Sequence, residues 1–414
     1  MPGIFALTEL LGTPVYDSTG AKVGRVREVA LCPQEDTVRV SALVVRTSQC
    51  DRLLPTAAIT QAEGTVRAST SQEDWAVYVS HEGLLLLGRD LLDQQIIDVH
   101  GRKVVRVNDV DLQSDPVNQH ISLKVSGVDV GARGAMRRLL KGVVPMAALR
   151  GVLGKISQKA IPWEFVDLIE TDPARRVKLK IGHERLAKLH PADIADIVEE
   201  LTPDEREAVF ETLDEEVAAE ALEEVSPRLQ KSIIQSLDSD RAADIVEEMD
   251  PDAAADLLGD LSADHSEEIL EEMQPEERAD VEELLEFRED SAAGRMTTDY
   301  LAIRPDARVE DAIELLRNHE GGIETVSTIY LVGEDEKLAG AVPLPHLVLA
   351  APGTPLTELV SQPLISCPAG AREKDFVETF DKYNLLTLPV VDEEGHLTGV
   401  ITADDVISLL RSKL

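Results

Sequence analysis

Aromatic residues make up only 3% of this 414-residue chain, so its cores must rest on Val, Leu, Ile and Ala. Cysteine is scarcer still. Cys32, Cys50 and Cys367 form an odd, scattered set that suits a reducing cytoplasm and offers no zinc spacing. No run of about 18 apolar residues occurs, so no helical membrane span is expected. No charged-then-apolar signal segment opens the chain. Positive charge is in deficit, with 41 Lys and Arg against 78 Asp and Glu and a net charge of −37. That balance argues against nucleic acid as the main partner and for cations or basic surfaces. A glycine-rich loop leading to Lys, GxSxG, HExxH and a Cys–His pairing signal are all missing, so no enzyme is expected. What is present is a hydrophobic fraction of 43%, enough for real cores, and a length that accommodates several domains.

The charge is concentrated in a strict twelve-residue repeat: HPADIADIVEEL, TPDEREAVFETL, DEEVAAEALEEV, SPRLQKSIIQSL, DSDRAADIVEEM, DPDAAADLLGDL, SADHSEEILEEM, QPEERADVEELL. Residues 190–290 carry 36 acidic and 6 basic side chains. Thr202, Asp214, Ser226, Asp238, Asp250 and Ser262 open their repeats as capping residues; His190 and Gln274 are weak exceptions. Pro191, Pro203, Pro227, Pro251 and Pro275 follow at the first helical position, where proline has no N–H to lose. Apolar residues at the eighth, ninth and twelfth places, such as Ile245, Val246 and Met249, fall on one helix face. A helix of about ten residues cannot bury such a face alone, so neighbours are expected to stack into an antiparallel superhelical solenoid. His183, His190 and His265 make no i, i+4 couple and read as surface residues.

Two copies of a β pattern precede the repeat. Leu10-Leu11-Gly12 through Asp17 and Gly20, followed by Val23, Val26 and Val29, is echoed by Leu91-Leu92-Asp93 through Asp98 and Gly101, followed by Val104, Val107 and Val110. Asp17 and Asp98 start turns that Gly20 and Gly101 complete. Two small β-barrels are expected, residues 1–82 and 83–182. The pattern L-L-G-x-x-V-x-D-x-x-G-x-x-V-G-x-V resembles the PRC-barrel family, which implies binding more than chemistry. In the second copy Val105 stands where the first has Gly24. Within it, residues 131–159 mix Arg133, Arg137, Arg138, Lys141, Arg150, Lys155 and Lys159 with apolar residues. Such a segment suits a membrane surface, an acidic partner, or a loop facing the chain's own acidic array.

After Ser291 the character changes to a tandem β-α-β-β-α pattern. Strands are expected at Tyr300–Ile303, Thr328–Val332, Leu338–Val342, Leu364–Cys367, Leu386–Val391 and Leu397–Thr402. Helices are expected at Val309–Asn318, at Arg372–Tyr383 and from Ala403. Aligning Gly340 with Gly399 brings Leu338 onto Leu397 and Val342 onto Ile401. This pattern and the run LPVVDEEGHLTGVITADDVISLL resemble a pair of CBS domains, residues 291–352 and 353–414. The whole is a multidomain α+β chain.

Acidic array, the junction DSAAGRMTTDYLAI and CBS pair together resemble the cytosolic half of MgtE-family magnesium transporters, over roughly Lys178 to Leu414. In that family a membrane domain follows the CBS pair. This chain stops at Leu414, so the expectation is a cytoplasmic or membrane-peripheral regulatory protein that does not itself conduct magnesium. The resemblance implies Mg²⁺ between the helical domain and the CBS pair, with Asp252, Asp256 and Asp405 at the family's carboxylate positions. Carboxylates suit this hard, octahedral ion, which keeps several of its waters. Arg372, Lys374 and Asn384 stand where further carboxylates are expected, which implies fewer sites.

Gly399 to Asp405 also fits the family's G-h-x-T-x-x-D nucleotide motif. Thr402 would meet a phosphate and Asp405 the ribose of an adenine nucleotide. The bland alternative is a helix cap formed by the same pair. In the first repeat Pro343 and His346 occupy these places, so at most one cleft is expected to be competent. Amphipathic CBS helices imply a homodimer, and a membrane protein or basic protein is an expected further partner. The alternative function is a passive interaction scaffold with no specific ligand.

Overall fold

The structure, a computed structural model, describes residues 3–80, 83–117, 120–131, 159–170, 172, 183–288, 290–319, 326–333 and 335–412. Most of the basic stretch 131–159 therefore lies outside the described residues. The chain divides into two compact units, residues 1–225 and 226–414. It is mixed α+β throughout.

In the first unit, the first β copy contains β1 (Gly3–Ala6), α1 (Leu7–Leu10), β2 (Pro14–Tyr16), β3 (Lys22–Leu31), β4 (Val40–Thr47), β5 (Asp51–Pro55), β6 (Ile59–Gln61), β7 (Val66–Ala68) and β8 (Ala76–Val77). The second contains β9 (Leu85–Leu86), α2 (Leu87–Asp90), β10 (Gln95–Asp98), β11 (Lys103–Arg106), β12 (Asp109–Val117), β13 (His120–Asp129), β14 (Ala160–Pro162) and β15 (Val166–Leu168). The copies are not independent, in contrast to the two-domain expectation. Each lends its first strand to the other: β1 pairs with β12, and β9 pairs with β3. Leu7, Leu31 and Leu43 share one core with Leu91, Leu112 and Val128. The physical reason is size. About 80 residues with few aromatics bury too little surface alone, and interleaving doubles the core.

The expected turns form, with a difference. Asp17 Oδ1 accepts from Thr19 N at 2.9 Å, and Gly20 takes φ +79°. In the second copy Asp98 accepts from Gly101 N at 2.9 Å, but Arg102 holds the left-handed position, at φ 50°. Gly101 is needed for space, since a Cβ there would lie 2.2 Å from Asp98 Oδ2.

Helices α3 (Pro191–Glu200), α4 (Pro203–Phe210) and α5 (Glu215–Glu223) complete this unit. Glu200 accepts from Val104 N at 2.9 Å, and Arg102 pairs with Asp193 at 2.8 Å, so two array carboxylates hold the β10–β11 hairpin. His190 does cap its helix, accepting from Ala192 N at 3.3 Å. His183 is not a surface residue. It is 2% exposed, with Nδ1 3.6 Å from Asp167 Oδ1.

The second unit opens with α6 (Pro227–Ile234), α7 (Ser239–Glu247), α8 (Pro251–Asp260), α9 (Ala263–Glu272) and α10 (Pro275–Leu285). Every one of the eight repeats yields a helix at the expected phase. Packing runs chiefly between next-but-one helices, α7 with α9 and α8 with α10, where consecutive stacking was expected. The linkers are too short for two neighbours to lie flat against each other, so two helices make one turn of the stack. Ile245, Val246, Leu257, Leu258 and Ile269 are buried on the predicted faces.

The CBS pair follows. Its first repeat is β16 (Leu301–Ile303), α11 (Val309–Arg317), β17 (Thr328–Val332), β18 (Leu338–Pro343) and α12 (Leu344–Leu349). The second is β19 (Cys367–Pro368), α13 (Glu373–Tyr383), β20 (Thr387–Val391), β21 (Leu397–Thr402) and α14 (Ala403–Ser412). Each sheet has one parallel and one antiparallel pairing. Both carry an irregularity at the same point, Leu331/Val332 and Val390/Val391. Leu331 faces Gly340 and Val390 faces Gly399, as the internal alignment requires. Of the strand expected at Leu364–Cys367 only Cys367 is paired, in a strand that runs Cys367–Pro368.

Candidate functional site

The segment from Ala292 to Thr297 carries the chain from the helices into the second CBS sheet. Ala292 N and Ala293 N donate to Ala371 O at 2.7 Å and Ala369 O at 2.9 Å. Thr297 and Val400 exchange backbone bonds of 2.9 and 3.0 Å. Close packing of Met296 demands glycine at Gly399, where a Cβ would lie 2.6 Å from the sulfur. This stitching sets α8 beside the start of α14. Between them lies a cavity of about 40 Å³. Asp250 and Asp252 from α8 and its cap, Asp299 from the junction, and Thr402, Asp404 and Asp405 from the β21–α14 turn all reach it.

The electrostatics are those of like charges forced together. Burial, then Asp405 and then Asp250, push the Asp252 carboxyl well above the usual range, against a hydrogen bond with Thr297. Burial, with Asp404 and Asp250 adding, pushes Asp405 up to about 6. Burial, Asp299 and Asp404 raise Asp250. Among the described residues, no Lys or Arg lines it. A hard cation would relieve this repulsion. No group of three or more His, Cys, Asp or Glu side chains is preassembled for a metal among the described residues.

Of the residues singled out from sequence, Asp252 and Asp405 come together. Asp256 does not join them; its carboxylate is paired with the Arg295 guanidinium, one turn further along α8. Thr402 and Asp405 form a cap. Asp405 Oδ2 accepts from Thr402 N at 3.1 Å and from the Thr402 hydroxyl. Arg372 and Lys374 pair on their own helix, with Asp375 at 3.3 Å and Glu378 at 3.6 Å. Asn384 occupies the left-handed C-cap at φ 51°, where its N–H reaches Phe380 O, a role a short amide fills well.

Asp250, Asp299 and Asp404 escaped the sequence reading. Asp250 was legible only as a cap, and Asp404 only as the neighbour of Asp405. A hydroxyl chain at the other wall was also missed. Tyr330, 2% exposed, donates to Thr387 Oγ1 at 2.8 Å, and Thr387 lies 3.3 Å from Thr328 Oγ1. Burial raises the Tyr330 phenol to about 12, so it stays a donor.

Comparison with known proteins matches three domain families: the MgtE intracellular N domain at residues 189–290, the CBS domain at 291–353 and 356–412, and the PRC-barrel domain at 2–70. The magnesium transporter MgtE of Thermus thermophilus is 35% identical over 133 residues, 32% of this chain and 30% of that protein. The chain thus spans under a third of the length of that relative. The crystal structure of the soluble part of a magnesium transporter superposes with TM-score 0.53 at 26% identity, covering 56% of this chain and 91% of that one. The cytosolic domain of the Mg²⁺ channel MgtE in complex with ATP gives TM-score 0.52 at 32% identity, covering 56% and 94%. No helix among the described residues is long and apolar enough to cross a membrane.

Proposed function

From a chain that carries a PRC-barrel domain, an MgtE intracellular N domain and a CBS pair, we propose a non-catalytic regulatory module of magnesium transport that senses Mg²⁺. The observation that carries this reading is the meeting of Asp252 and Asp405, both with raised carboxyls, around one small cavity. Asp252 and Asp405, with Asp250 and Asp404 close by, would hold the ion, which would supply the positive charge that lets α8 and α14 stay together. Ligand that binds only the closed arrangement shifts the population toward it. Affinity is expected to be weak, roughly 10⁻⁴ to 10⁻³ M, by analogy with extracellular calcium modules. The test is small-angle scattering of the full chain at matched ionic strength. A smaller radius of gyration in millimolar Mg²⁺ than in EDTA supports sensing. Superposing curves favour the alternative, a scaffold with no specific ligand.

Adenine nucleotide at Thr402 and Asp405 is a second reading, supported by the ATP-bound relative. The cavity of about 40 Å³ must widen for it, and the Thr402–Asp405 cap must open. Calorimetry with ATP, ADP and AMP tests it, and no heat for any of them leaves the pair as a cap alone. The CBS pair also leaves Leu386 and Ile407 66% and 65% exposed, which supports a homodimer through that surface. A monomer of 45.2 kDa by light scattering would defeat this.

A further inference from the structure

We propose that Arg295 is a built-in cation that clamps α8 to the second CBS sheet, so that α8 pivots about it, without separating, when no divalent ion is held. This concerns the regulation of the site above and rests on that reading for its Mg²⁺ dependence. Helix α8 meets the CBS side through two carboxylates one turn apart, about 6 Å along the axis. Their surroundings are opposite in sign. Asp252 faces Asp405, a like charge. Asp256 faces the Arg295 guanidinium. Arg295 ends a 3₁₀ turn, Ala293–Arg295, whose flanks are bonded into the second CBS repeat through Ala369, Ala371 and Val400. The guanidinium therefore moves with that sheet. One contact is satisfied by the protein's own fixed charge, and the other waits for an ion.

The division has two consequences. Asp256 is unsuited to metal, because a cation at its carboxylate already occupies the role. And the metal-free chain keeps one attractive contact while the neighbouring one repels, so it opens about a fixed point. The ion pair is partly exposed, 27% at Arg295 and 48% at Asp256, so its effect on the opening equilibrium is modest. Losing it should raise the Mg²⁺ concentration at half-compaction about five-fold, because more of the population must be recovered by the ion.

The test uses the full chain, with scattering in EDTA and across a Mg²⁺ titration at matched ionic strength. Four proteins are compared: wild type, Arg295→Ala, Arg295→Lys, and the exchange Asp256→Arg with Arg295→Asp. The proposal expects Arg295→Ala to be larger than wild type in EDTA but equal in saturating Mg²⁺, with the midpoint raised about five-fold. Arg295→Lys should be intermediate, and the exchange should return toward wild type. Equal EDTA curves for wild type and Arg295→Ala would overturn the clamp. So would an exchange that melts cooperatively yet fails to restore compaction, since Arg295 would then act by packing alone. If Arg295→Ala does not fold, Arg295→Lys and the exchange carry the same decision. Expansion of Arg295→Ala in EDTA with no Mg²⁺ response in wild type would support the clamp and overturn the cation reading, so the two failures are distinct.

Discussion

The two CBS repeats have the same strand order, the same mixed pairing and an irregularity at the same register, yet they end differently. Where the first passes from β18 into α12 it reads Pro343-Leu344-Pro345-His346. Where the second passes from β21 into α14 it reads Thr402-Ala403-Asp404-Asp405. His346 Nδ1 lies 2.9 Å from Leu359 O and serves the loop that follows. Asp405 caps its helix and meets Asp252. The difference teaches that topology supplies two equivalent strand–helix turns, and that four residues at each decide which one gathers acidic side chains.

The comparison breaks most sharply at the acidic turn. Asp252→Asn and Asp405→Asn should each abolish most of the Mg²⁺-induced compaction, and the double variant should do little more, because the two share one ion. Their metal-free forms should already be compact, the repulsion being gone. Building Thr and Asp into the first repeat, with Pro343→Thr and His346→Asp, should add no second Mg²⁺-dependent step, because it recreates the cap pair without the Asp252 partner. A Mg²⁺ titration followed by scattering checks all four proteins.

A pH series sharpens the contrast next. The Asp405 carboxyl is raised to about 6, so the folded chain holds this proton more tightly than the unfolded one. That contribution is complete below the unfolded value near 3.8 and is lost as pH rises through about 6. In EDTA, wild type should lose a few degrees of melting temperature relative to Asp405→Asn as pH rises across this window. Mg²⁺ should restore the loss at the upper end. Parallel melting curves for the two proteins from pH 4 to 7 would contradict the assignment.

Smaller effects belong to the wall the two repeats share and to the loop after α12. Tyr330→Phe removes the hydroxyl that donates to Thr387 and should cost about 1 kcal/mol by denaturant unfolding. His346→Ala loses one exposed contact and should cost less, on the order of 0.5 kcal/mol. Neither should move the Mg²⁺ midpoint.

Much of this was legible beforehand, and the reasons differ by region. The twelve-residue period was enough to place eight helices because the apolar face recurs and every copy opens with a capping residue, a first-turn proline or both. The CBS strands followed from the internal alignment through Gly340 and Gly399. The exchange of β1 and β9 was not legible, because each strand pairs with a partner about 55 to 110 residues away, and alternation alone does not name the partner. At the site, Asp252 and Asp405 were legible through the family resemblance. Asp250 was not, since in an array with 36 acidic residues no single carboxylate stands out, and Asp299 was not, since nothing in the junction sequence shows what it faces. The partner of Asp256 was not legible for a related reason. Spacing places it on the face with Asp252, but only the fold shows that Arg295, 39 residues on, meets it.

The central claim is that a divalent ion joins α8 to the β21–α14 turn. Spin labels at Glu271→Cys on α9 and Asp381→Cys on α13, in a chain with its native cysteines replaced, report the separation of the helical array from the second CBS repeat by pulsed dipolar spectroscopy. The account predicts a broad distance distribution in EDTA that becomes shorter and narrower in millimolar Mg²⁺, and no such change in Asp252→Asn. Distributions that superpose with and without Mg²⁺ in the otherwise wild-type chain would contradict it.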